Sequence, residues 1–459
     1  MIKIGLLPLY IALYDQSSPE LRPRLERFYE QTAQALEAQG FALLRSSFCR
    51  VEGEFEQAIK TFEQAGAQCL VTMHMAYSPS LESSRALVQT PLPIVVLDIT
   101  DTCEFGPGQS PEHIMYCHGI HGVMDMCSLL LQNGKRFAIA AGHPDYSDVM
   151  ERAAGFVRAA VAAKALHGSK VGTIGGLFKG MGDFAVTDAA LQERFGVEII
   201  SAEAKVLSDL TKAITSEEIK AEISSDCAAF KPVGEISREA HMRTAREGLA
   251  IREWIEQEHL LAFSANFSMI GPQTGLTAMP FLEASKAMAR GTGYAGEGDV
   301  LTAAFCGALL QGFEGTSFIE IFCPDWQGNR LFLSHMGEIN LNLTSAAPEM
   351  LEKDFIFGDS ENPVVCYGCY QSGEAMFVNI CRGSEDFRLV TSPVTMEAET
   401  GSNFAGSIRG WMQPRMSIAA FLEAHSRAGA THHSILVYGA TAEQLRFFGE
   451  LLELEVIEL

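Results

Sequence analysis

Four short segments of this chain place glutamate or histidine beside glycine or other small residues, and together they contain the groups that bind a divalent metal ion. They are "GYAGEGD" with Glu297, "GTSFIE" with Glu320, "LSHMGE" with His335, and "ATHHS" with His432 and His433. Two carboxylates and two imidazoles suit an octahedral or near-octahedral Mn²⁺ or Mg²⁺ site, with water or substrate oxygens completing the coordination. The segments lie far apart in the chain, so only the fold can bring them together.

Each of these residues also has an ordinary structural interpretation. A glutamate in a glycine-rich turn, such as Glu297, is usually solvated or caps a helix. His335 by itself is more often a hydrogen-bonded core histidine than a metal ligand. Glu320 differs, because strand alternation through "SFIEIF" places it on one face with Phe318 and Phe322. A charge on such a face needs a partner.

The elements that must position these residues show two sequence patterns, one before and one after about residue 312. From the N-terminus to about residue 312, short apolar runs alternate with helix-length segments, which predicts parallel sheets in α/β topology. A second start at "SKVGTIGGLF" divides this part into two Rossmann-like α/β domains, 1–168 and 169–312. Beyond it, short alternating runs such as "TSFIEIF", "RLFLSHM" and "VVCYGCY" indicate an antiparallel barrel or sandwich with a late helix at "TAEQLRFFGELL", and we predict a C-terminal antiparallel β-barrel-like domain, 313–459.

Composition and charge restrict the class of protein. The chain has 459 residues, 47% of them hydrophobic and 20% charged, and a formal net charge of -23. That charge repels nucleic acid and anionic lipid, and no uninterrupted apolar run reaches the ~18 residues of a membrane span. The N-terminus lacks the pattern of a signal peptide. We therefore expect a soluble, cytoplasmic protein that binds a small neutral ligand or a metal ion, with its eleven cysteines mostly as thiols.

The four segments, taken in order, resemble the L-arabinose isomerase family. The corresponding family segments read Gly-Glu-Gly-Asp, Thr-Ser-Phe-x-Glu, Ser-His-Met-x-Glu and His-His, with similar separations. The resemblance continues more weakly upstream through "HGIHG" near residue 120, "GHPDY" near 143 and "GMGDFAVTD" at 180–188. It therefore covers most of the chain, and an ordered set of four motifs is far more specific than any one of them.

The resemblance implies a role for individual residues. The metal, usually Mn²⁺ with Mg²⁺ or Co²⁺ as alternatives, would be held by Glu297, Glu320, His335 and His433, and His432 is the less favoured member of its pair. Substrate contacts would come from Met181, from Phe267 in "SANF", and from a first-domain histidine that reaches the site of a neighbouring subunit. His121 fits that histidine better than His118, because a helix-like segment follows it directly. The family also implies a homotrimer or homohexamer with intersubunit sites.

The chemistry agrees with this resemblance. Converting an aldose into a ketose moves a proton between C1 and C2 through an ene-diol, which needs a Lewis acid and a carboxylic acid/carboxylate pair. Glu297 and Glu320 supply that pair, although the sequence does not assign the acid and the base. Two alternatives stay open: a sugar-binding or regulatory protein that has lost turnover, and a metal-dependent sugar epimerase.

Departures from the family leave the sugar open. Where the first strand of arabinose isomerases continues into Gln-His-Leu-Tyr-Gly, this chain reads "LPLYIALYDQ", and an Asn-Gln pair before the first-domain histidine is replaced by "MYCHGI". A pentose, a deoxyhexose or a 6-modified hexose all fit.

Two further motifs are set aside. "CYGC" at 366–369 has half the ligands of a zinc site, and strand alternation would point Cys366 and Cys369 to opposite faces. "GTIGGLFKGMG" at 172–182 lacks the lysine and hydroxyl residue of a phosphate-binding loop, so we interpret it as a loop over the sugar site.

Overall fold

The apolar runs of the N-terminal part form a five-stranded parallel sheet in the order β2-β1-β3-β4-β5. The computed structural model describes residues 1–358, 360–401 and 403–459, and this sheet belongs to the first of two compact units, Met1–Lys164 and Ala165–Leu459. Its strands are β1 (Lys3–Leu9), β2 (Ala42–Arg45), β3 (Cys69–His74), β4 (Ile94–Ile99) and β5 (Phe137–Gly142). The helices between them are α1 (Ala12–Ser17), α2 (Arg22–Ala38), α3 (Glu52–Gln64), α4 (Ser80–Gln89), α5 (Ile114–Cys117) and α6 (Gly119–Gln132). A further helix, α7 (Val149–Leu166), follows β5 and extends to the start of the second unit.

Within the described residues, one stretch, Pro111–Gln132, is long and apolar enough to span a membrane by length and composition alone. It contains α6, whose Val123, Met126 and Leu130 are buried in the core of the first unit together with β-strand residues. Asp125 and several histidines interrupt its apolar sequence. Packing in the core of the first unit therefore accounts for the buried side of α6, whereas Met124 and Leu131 of the same helix are exposed.

The second unit contains a four-stranded parallel sheet in the order β10-β9-β6-β7. The strands in this part of the chain are β6 (Lys170–Ile174), β7 (Glu198–Ser201), β8 (Lys231–Pro232), β9 (Leu260–Ala265) and β10 (Gly293–Gly296). The helices are α8 (Asp188–Phe195), α9 (Ala204–Ala213), α10 (Ser216–Ala229), α11 (Arg238–Glu258), α12 (Phe281–Ala289) and α13 (Val300–Gly312). α13 is apolar and buried on nearly every side, since it contacts the parallel sheet as well as the strands that follow it.

The rest of the second unit is built on a closed six-stranded antiparallel barrel in the order β15-β18-β11-β12-β17-β16, in which β16 pairs back with β15. A further strand, β19, joins β16 in parallel. The strands are β11 (Thr316–Asp325), β12 (Arg330–Leu333), β13 (Glu349–Glu352), β14 (Val364–Tyr367), β15 (Gly373–Arg382), β16 (Phe387–Met396), β17 (Gly410–Pro414), β18 (His433–Tyr438) and β19 (Glu455–Glu458). The helices are α14 (Ile418–Ala428) and α15 (Ala442–Leu451).

The parallel Rossmann-like sheets and the antiparallel barrel confirm the predicted mixture of α/β and antiparallel β structure, whereas the number of domains stays a prediction and one strand was misplaced. The run "VVCYGCY" is not a barrel strand, because β14 pairs with β13, which in turn pairs with β8, in a separate three-stranded sheet. β14 also ends at Tyr367, so strand alternation does not relate Cys366 to Cys369; both are buried free thiols. The three domain ranges stay predictions.

Candidate metal and active site

A turn in left-handed conformation presents the first carboxylate at the carboxyl end of the parallel sheet. Directly after β10, Glu297 has φ 62° and Gly298 has φ 81°. A Cβ at position 298 would lie 2.2 Å from the carbonyl oxygen of Gly176, so only glycine fits there. A non-glycine residue held at positive φ costs free energy and is frequent at functional sites. The carboxyl ends of parallel strands are also where α/β sheets bind ligands.

Strand register brings the second carboxylate beside the late histidine pair. Glu320 on β11 is directly opposite His433, the first residue of β18. Residues opposite each other in an antiparallel pair project to the same face of the sheet. The ring of the fully buried Phe318 lies edge-on to His335 at 4.9 Å and to His433 at 5.0 Å, measured between ring centroids. The face predicted from the "SFIEIF" alternation is therefore the face of the site.

Each of the three imidazoles has its Nδ1 atom beside a carboxylate. The distances from Nδ1 are 2.6 Å to Glu338 for His335, 2.9 Å to Asp299 for His433, and 2.7 Å to Asp183 for His432. An Nδ1–H that donates to a carboxylate fixes the ring orientation and leaves the Nε2 lone pair for a metal ion.

The candidate ligand atoms form two overlapping groups. One contains Glu320, His335 and His433, the other Glu297, His432 and His433, and within each group the ligand atoms lie within 4.8 Å of one another. Both groups share His433, so all four residues predicted to bind metal converge. His432, which the sequence analysis favoured less as a metal ligand, belongs to the group with Glu297 and His433.

Two observations test whether this set fits a metal ion. The Nε2 atom of His433 is buried and has no hydrogen-bond partner among the described residues, although such a buried polar atom is costly to leave alone. A Cβ at Gly296 would lie 3.2 Å from His335 Cε1 and 3.9 Å from His433 Nε2, so glycine keeps open the space in front of both rings. Carboxylates with imidazoles form a donor set suited to Mn²⁺ and related ions. The residues fit a divalent metal, and they do not identify which one.

The two glutamates have different proton affinities. Burial raises the pKa of Glu320, and the neighbouring histidines only partly oppose this. Burial would also raise the pKa of Glu297, but His432, whose Nε2 lies 3.6 Å from the carboxylate, and the charges of His433 and His335 lower it below its usual range. For His432, burial is outweighed by Glu297 and Asp183, which raise its pKa to about 9. The site therefore has one carboxyl group whose pKa is lowered and one whose pKa is raised.

A cavity of about 230 Å³ opens onto Glu297, Glu320 and His335, and most of its other lining residues are aromatic or aliphatic. It is lined by Ala265, Phe267, Met279, Phe281, Tyr294, Gly296, Glu297, Glu320, Phe322, His335, Met336, Glu338, Phe355 and Phe357. Its size is on the scale of a small-molecule site.

The predicted substrate contacts are placed in three different ways. Phe267 lines the cavity. Met181 is exposed in the loop after β6 and is not among the cavity residues, although that loop borders the site through Phe178, whose N–H donates to the carbonyl of Glu297 at 2.9 Å. The phenyl ring of Phe178 also lies 4.8 Å from that of Phe267. His121 is exposed on α6 in the first unit, so its substrate contact stays a prediction.

Sequence reasoning missed the carboxylates that orient the rings. Asp299 and Glu338 lie within the motifs "GYAGEGD" and "LSHMGE", and Asp183 lies in "GMGDFAVTD". The signal in two of the metal-binding motifs was an acidic residue close to a predicted ligand, Asp299 two positions after Glu297 and Glu338 three positions after His335. Its role became visible only when the ring that it contacts was known.

Comparison with known proteins gives one consistent result. The model described as L-arabinose isomerase central domain matches residues 177–311, and the model described as L-arabinose isomerase C-terminal domain matches residues 315–455; together they cover more than half of the chain. All candidate metal ligands lie inside these ranges.

Relatives with the same name match over a longer range. The L-arabinose isomerase of Halalkalibacterium halodurans is 27% identical over 332 residues, 70% of this chain and 66% of the relative. The L-arabinose isomerase of Geobacillus thermodenitrificans is 26% identical over 351 residues, 73% of this chain and 69% of the relative. The L-arabinose isomerase of Saccharophagus degradans is 26% identical over 336 residues, which are 70% of this chain and 65% of the relative. The matched part thus spans about two thirds of these relatives' length.

Proposed function

The chain belongs to the L-arabinose isomerase family, and from this membership and the geometry of its site we propose that it is a metal-dependent aldose–ketose isomerase. Aldose–ketose isomerisation, an intramolecular oxidoreduction, is the activity that the relatives and the family models support. The observation that carries the proposal is the convergence of two carboxylates and carboxylate-oriented imidazoles, three of which line a small cavity.

Glu297, Glu320, His335 and His433 would hold the ion, with His432 as a further donor. Mn²⁺ is our first choice, and Mg²⁺ and Co²⁺ are alternatives with compatible ligand preferences. When bound, the ion supplies Lewis-acid stabilisation of the negative charge that develops on the substrate oxygens. Asp299 and Glu338 keep the two imidazole rings in place.

Glu297 and Glu320 would carry out the proton transfer. Moving a proton between C1 and C2 through an ene-diol needs one carboxylate to accept it and one carboxylic acid to donate it. The opposite pKa shifts of Glu297 and Glu320 support such a division of roles in the metal-free protein. The apolar walls formed by Phe267 and the neighbouring rings exclude water, so that fixed charges act more strongly on the reacting atoms.

The substrate is a monosaccharide, either a pentose or a modified hexose. We also propose a cytoplasmic homotrimer or homohexamer, in which a histidine of a neighbouring subunit completes each site. Sedimentation equilibrium tests this state, and a monomer at micromolar concentration would contradict it.

The experiment that tests the function is product formation by EDTA-treated protein with and without Mn²⁺. The panel contains L-arabinose, L-fucose, D-galactose and 6-substituted hexoses, and products are separated so that a ketose is distinguished from an epimeric aldose. Mn²⁺-dependent ketose formation from one sugar supports the proposal. An aldose product would instead indicate the epimerase.

A catalytically inactive binding protein is not favoured, because sugar binding alone does not require two carboxyl groups whose pKa values are shifted in opposite directions. Tight Mn²⁺ and sugar binding without turnover across the panel would reverse that judgement.

A further inference from the structure

A second cleft of the second unit lies between α9 and the first half of α11, and none of the metal-site residues lines it. Its volume is about 660 Å³. It adjoins another cavity of about 530 Å³, with which it shares Ser208, Gly275 and Thr277. Both volumes lie in the range of small-molecule sites.

The cleft is cationic in a strongly acidic chain. Four cationic side chains line it, Lys212, Arg238, Arg243 and Arg246, and two acidic ones, Glu239 and Glu247. The formal charge of the whole chain is -23. A local excess of positive charge inside a concave surface raises the local concentration of small anions.

The arginines of the cleft have no carboxylate partner among the described residues. Several arginines elsewhere in the described chain pair with carboxylates, as when Arg252 contacts both Glu222 and Glu283. Arg243 donates one hydrogen bond, from Nη2 to the Asn362 carbonyl at 2.8 Å, and its buried Nε has no partner in the described part of the chain. Guanidinium groups left unpaired around one concave site are available to an incoming anion.

Glu247, the buried acid of the cleft, makes its hydrogen bonds to a loop and none to the arginines, although the charge of Arg243 opposes the rise in its pKa that burial causes. Glu247 accepts hydrogen bonds from the N–H of Thr277 at 2.9 Å, from the Thr277 hydroxyl at 2.5 Å and from the N–H of Ala278 at 3.1 Å. Its carboxylate therefore anchors the loop beside the cleft. Glu239 is exposed, and no ion pair links it to an arginine within the described residues.

We propose that this cleft binds the phosphate group of a small organic phosphate. Planar guanidinium groups match phosphate oxygens through paired, charge-assisted hydrogen bonds. The concave shape and the negative charge of the rest of the chain exclude nucleic acid as the ligand. The remaining volume of the cleft accommodates the organic part of the molecule.

One segment connects this cleft to the candidate active site. Within residues 267–279, Phe267 and Met279 line the metal-site cavity, whereas Gly275 and Thr277 line the cleft. Glu247 ties this segment to α11, the helix that carries the three arginines. A ligand in the cleft would therefore restrict a wall of the other cavity.

Calorimetric titration of the full metal-loaded chain tests the proposal. The probe is glycerol 3-phosphate, which is not an aldose, and inorganic phosphate and glycerol are the comparisons. We expect glycerol 3-phosphate to bind more tightly than inorganic phosphate, and glycerol not to bind. Arg238→Gln with Arg246→Gln should raise its Kd by about tenfold or more, because two charged donors are lost. Arg415→Gln, at an exposed position between β17 and α14, is the matched control and should leave the Kd unchanged.

Both substituted arginines are exposed, and Arg238 is the first residue of α11, so removing its charge does not weaken that helix.

In the unsubstituted protein, glycerol 3-phosphate should slow hydrogen exchange in peptides that cover 267–279. The absence of binding at millimolar concentration, or an unchanged Kd in the double variant, would overturn the site. If inorganic phosphate bound as tightly as glycerol 3-phosphate, the proposal of an organic ligand would be overturned. If glycerol 3-phosphate left hydrogen exchange in 267–279 unchanged, the proposed connection between the cleft and the metal-site cavity would be overturned. None of these results depends on isomerase activity.

Discussion

At the scale of single residues, the candidate site consists of interacting pairs of side chains. Each imidazole has a carboxylate at Nδ1, and the two glutamates near the rings have pKa shifts in opposite directions. The function of each side chain is therefore set by its neighbour as much as by its own type. Substitutions that preserve shape and change one proton or one charge are the most informative tests.

The first prediction concerns the two glutamates. Glu297→Gln or Glu320→Gln should leave a folded protein whose turnover falls by ~10²-fold or more, since an acid or base group is lost from the proton transfer. The measurement is ketose formation with Mn²⁺ present, alongside circular dichroism. Glu314→Gln, an exposed position just before β11, should keep full activity. Retained turnover in either site variant would remove the proposed mechanism.

The second prediction concerns the carboxylates that orient the rings. Asp299→Asn and Glu338→Gln should each weaken metal affinity roughly 10- to 100-fold, because the imidazole that each one holds loses its fixed orientation. Asparagine still caps α13, where Asp299 accepts from the N–H of Thr302, so folding should be kept. Competition with a chelator of known affinity gives the Kd. An unchanged affinity would show that the rings are held by packing alone.

His335→Ala belongs to the same group of tests. It should lower the bound metal per chain in elemental analysis, whereas His259→Ala, at the C-terminal end of α11, should not. Unchanged stoichiometry would count against His335 as a ligand.

At the scale of elements, a charged network joins α10, α11 and α12 behind the parallel sheet. Glu222 of α10 contacts Arg252 of α11 at 2.8 Å and Lys286 of α12 at 2.7 Å. Lys286 also contacts the buried Asp226. Charges removed from water in this way stabilise a fold only while all partners are present.

This network predicts a defined pH dependence of stability. Burial would raise the pKa of Glu222, but Arg252 and Lys286 lower it to about 2 from its ordinary value of 4.5. A carboxyl group whose pKa is lower in the folded chain stabilises that chain above the unfolded pKa and loses this contribution as pH falls from 4.5 towards 2. The contribution at neutral pH is about 3 kcal/mol, as an order of magnitude.

Glu222→Gln should therefore lower the free energy of unfolding at pH 7, and the difference from the unsubstituted protein should shrink below pH 4.5. Denaturant titrations at several pH values measure it. Glu256→Gln, exposed on α11, is the control and should change little. A difference that does not vary with pH would assign the effect of Glu222 to packing.

At the scale of the whole molecule, the proposed metal ligands come from elements far apart in the chain. Glu297 follows a strand of the parallel sheet, Glu320 and His433 belong to neighbouring barrel strands, and His335 follows β12. A ligand that binds the folded chain alone stabilises it by ~2.7 kcal/mol at 100 times its Kd.

Mn²⁺ added to EDTA-treated protein should thus raise the unfolding temperature by roughly 3–5 °C. Differential scanning calorimetry measures the shift. The same addition to the His335→Ala variant should give a much smaller one. An equal shift in both proteins would place the stabilising ion elsewhere.

The sequence by itself determined the classes of element and the candidate chemistry. The strand–helix rhythm predicted the parallel sheets, the alternation after residue 312 predicted the barrel, and four ordered motifs indicated the metal ligands and the family. These features are local, because side-chain period and motif order can be obtained from neighbouring residues. The alternation through β11 even identified the face on which Glu320 lies.

The tertiary structure alone decided which residues meet. The register that places Glu320 opposite His433, the carboxylates Asp299 and Glu338 that hold the imidazoles, and the pairing of β14 outside the barrel all join segments from different parts of the chain. Such pairings depend on packing and strand register, which no local pattern contains. The unpaired arginines beside α9 became visible for the same reason, since a missing partner is a property of the folded chain.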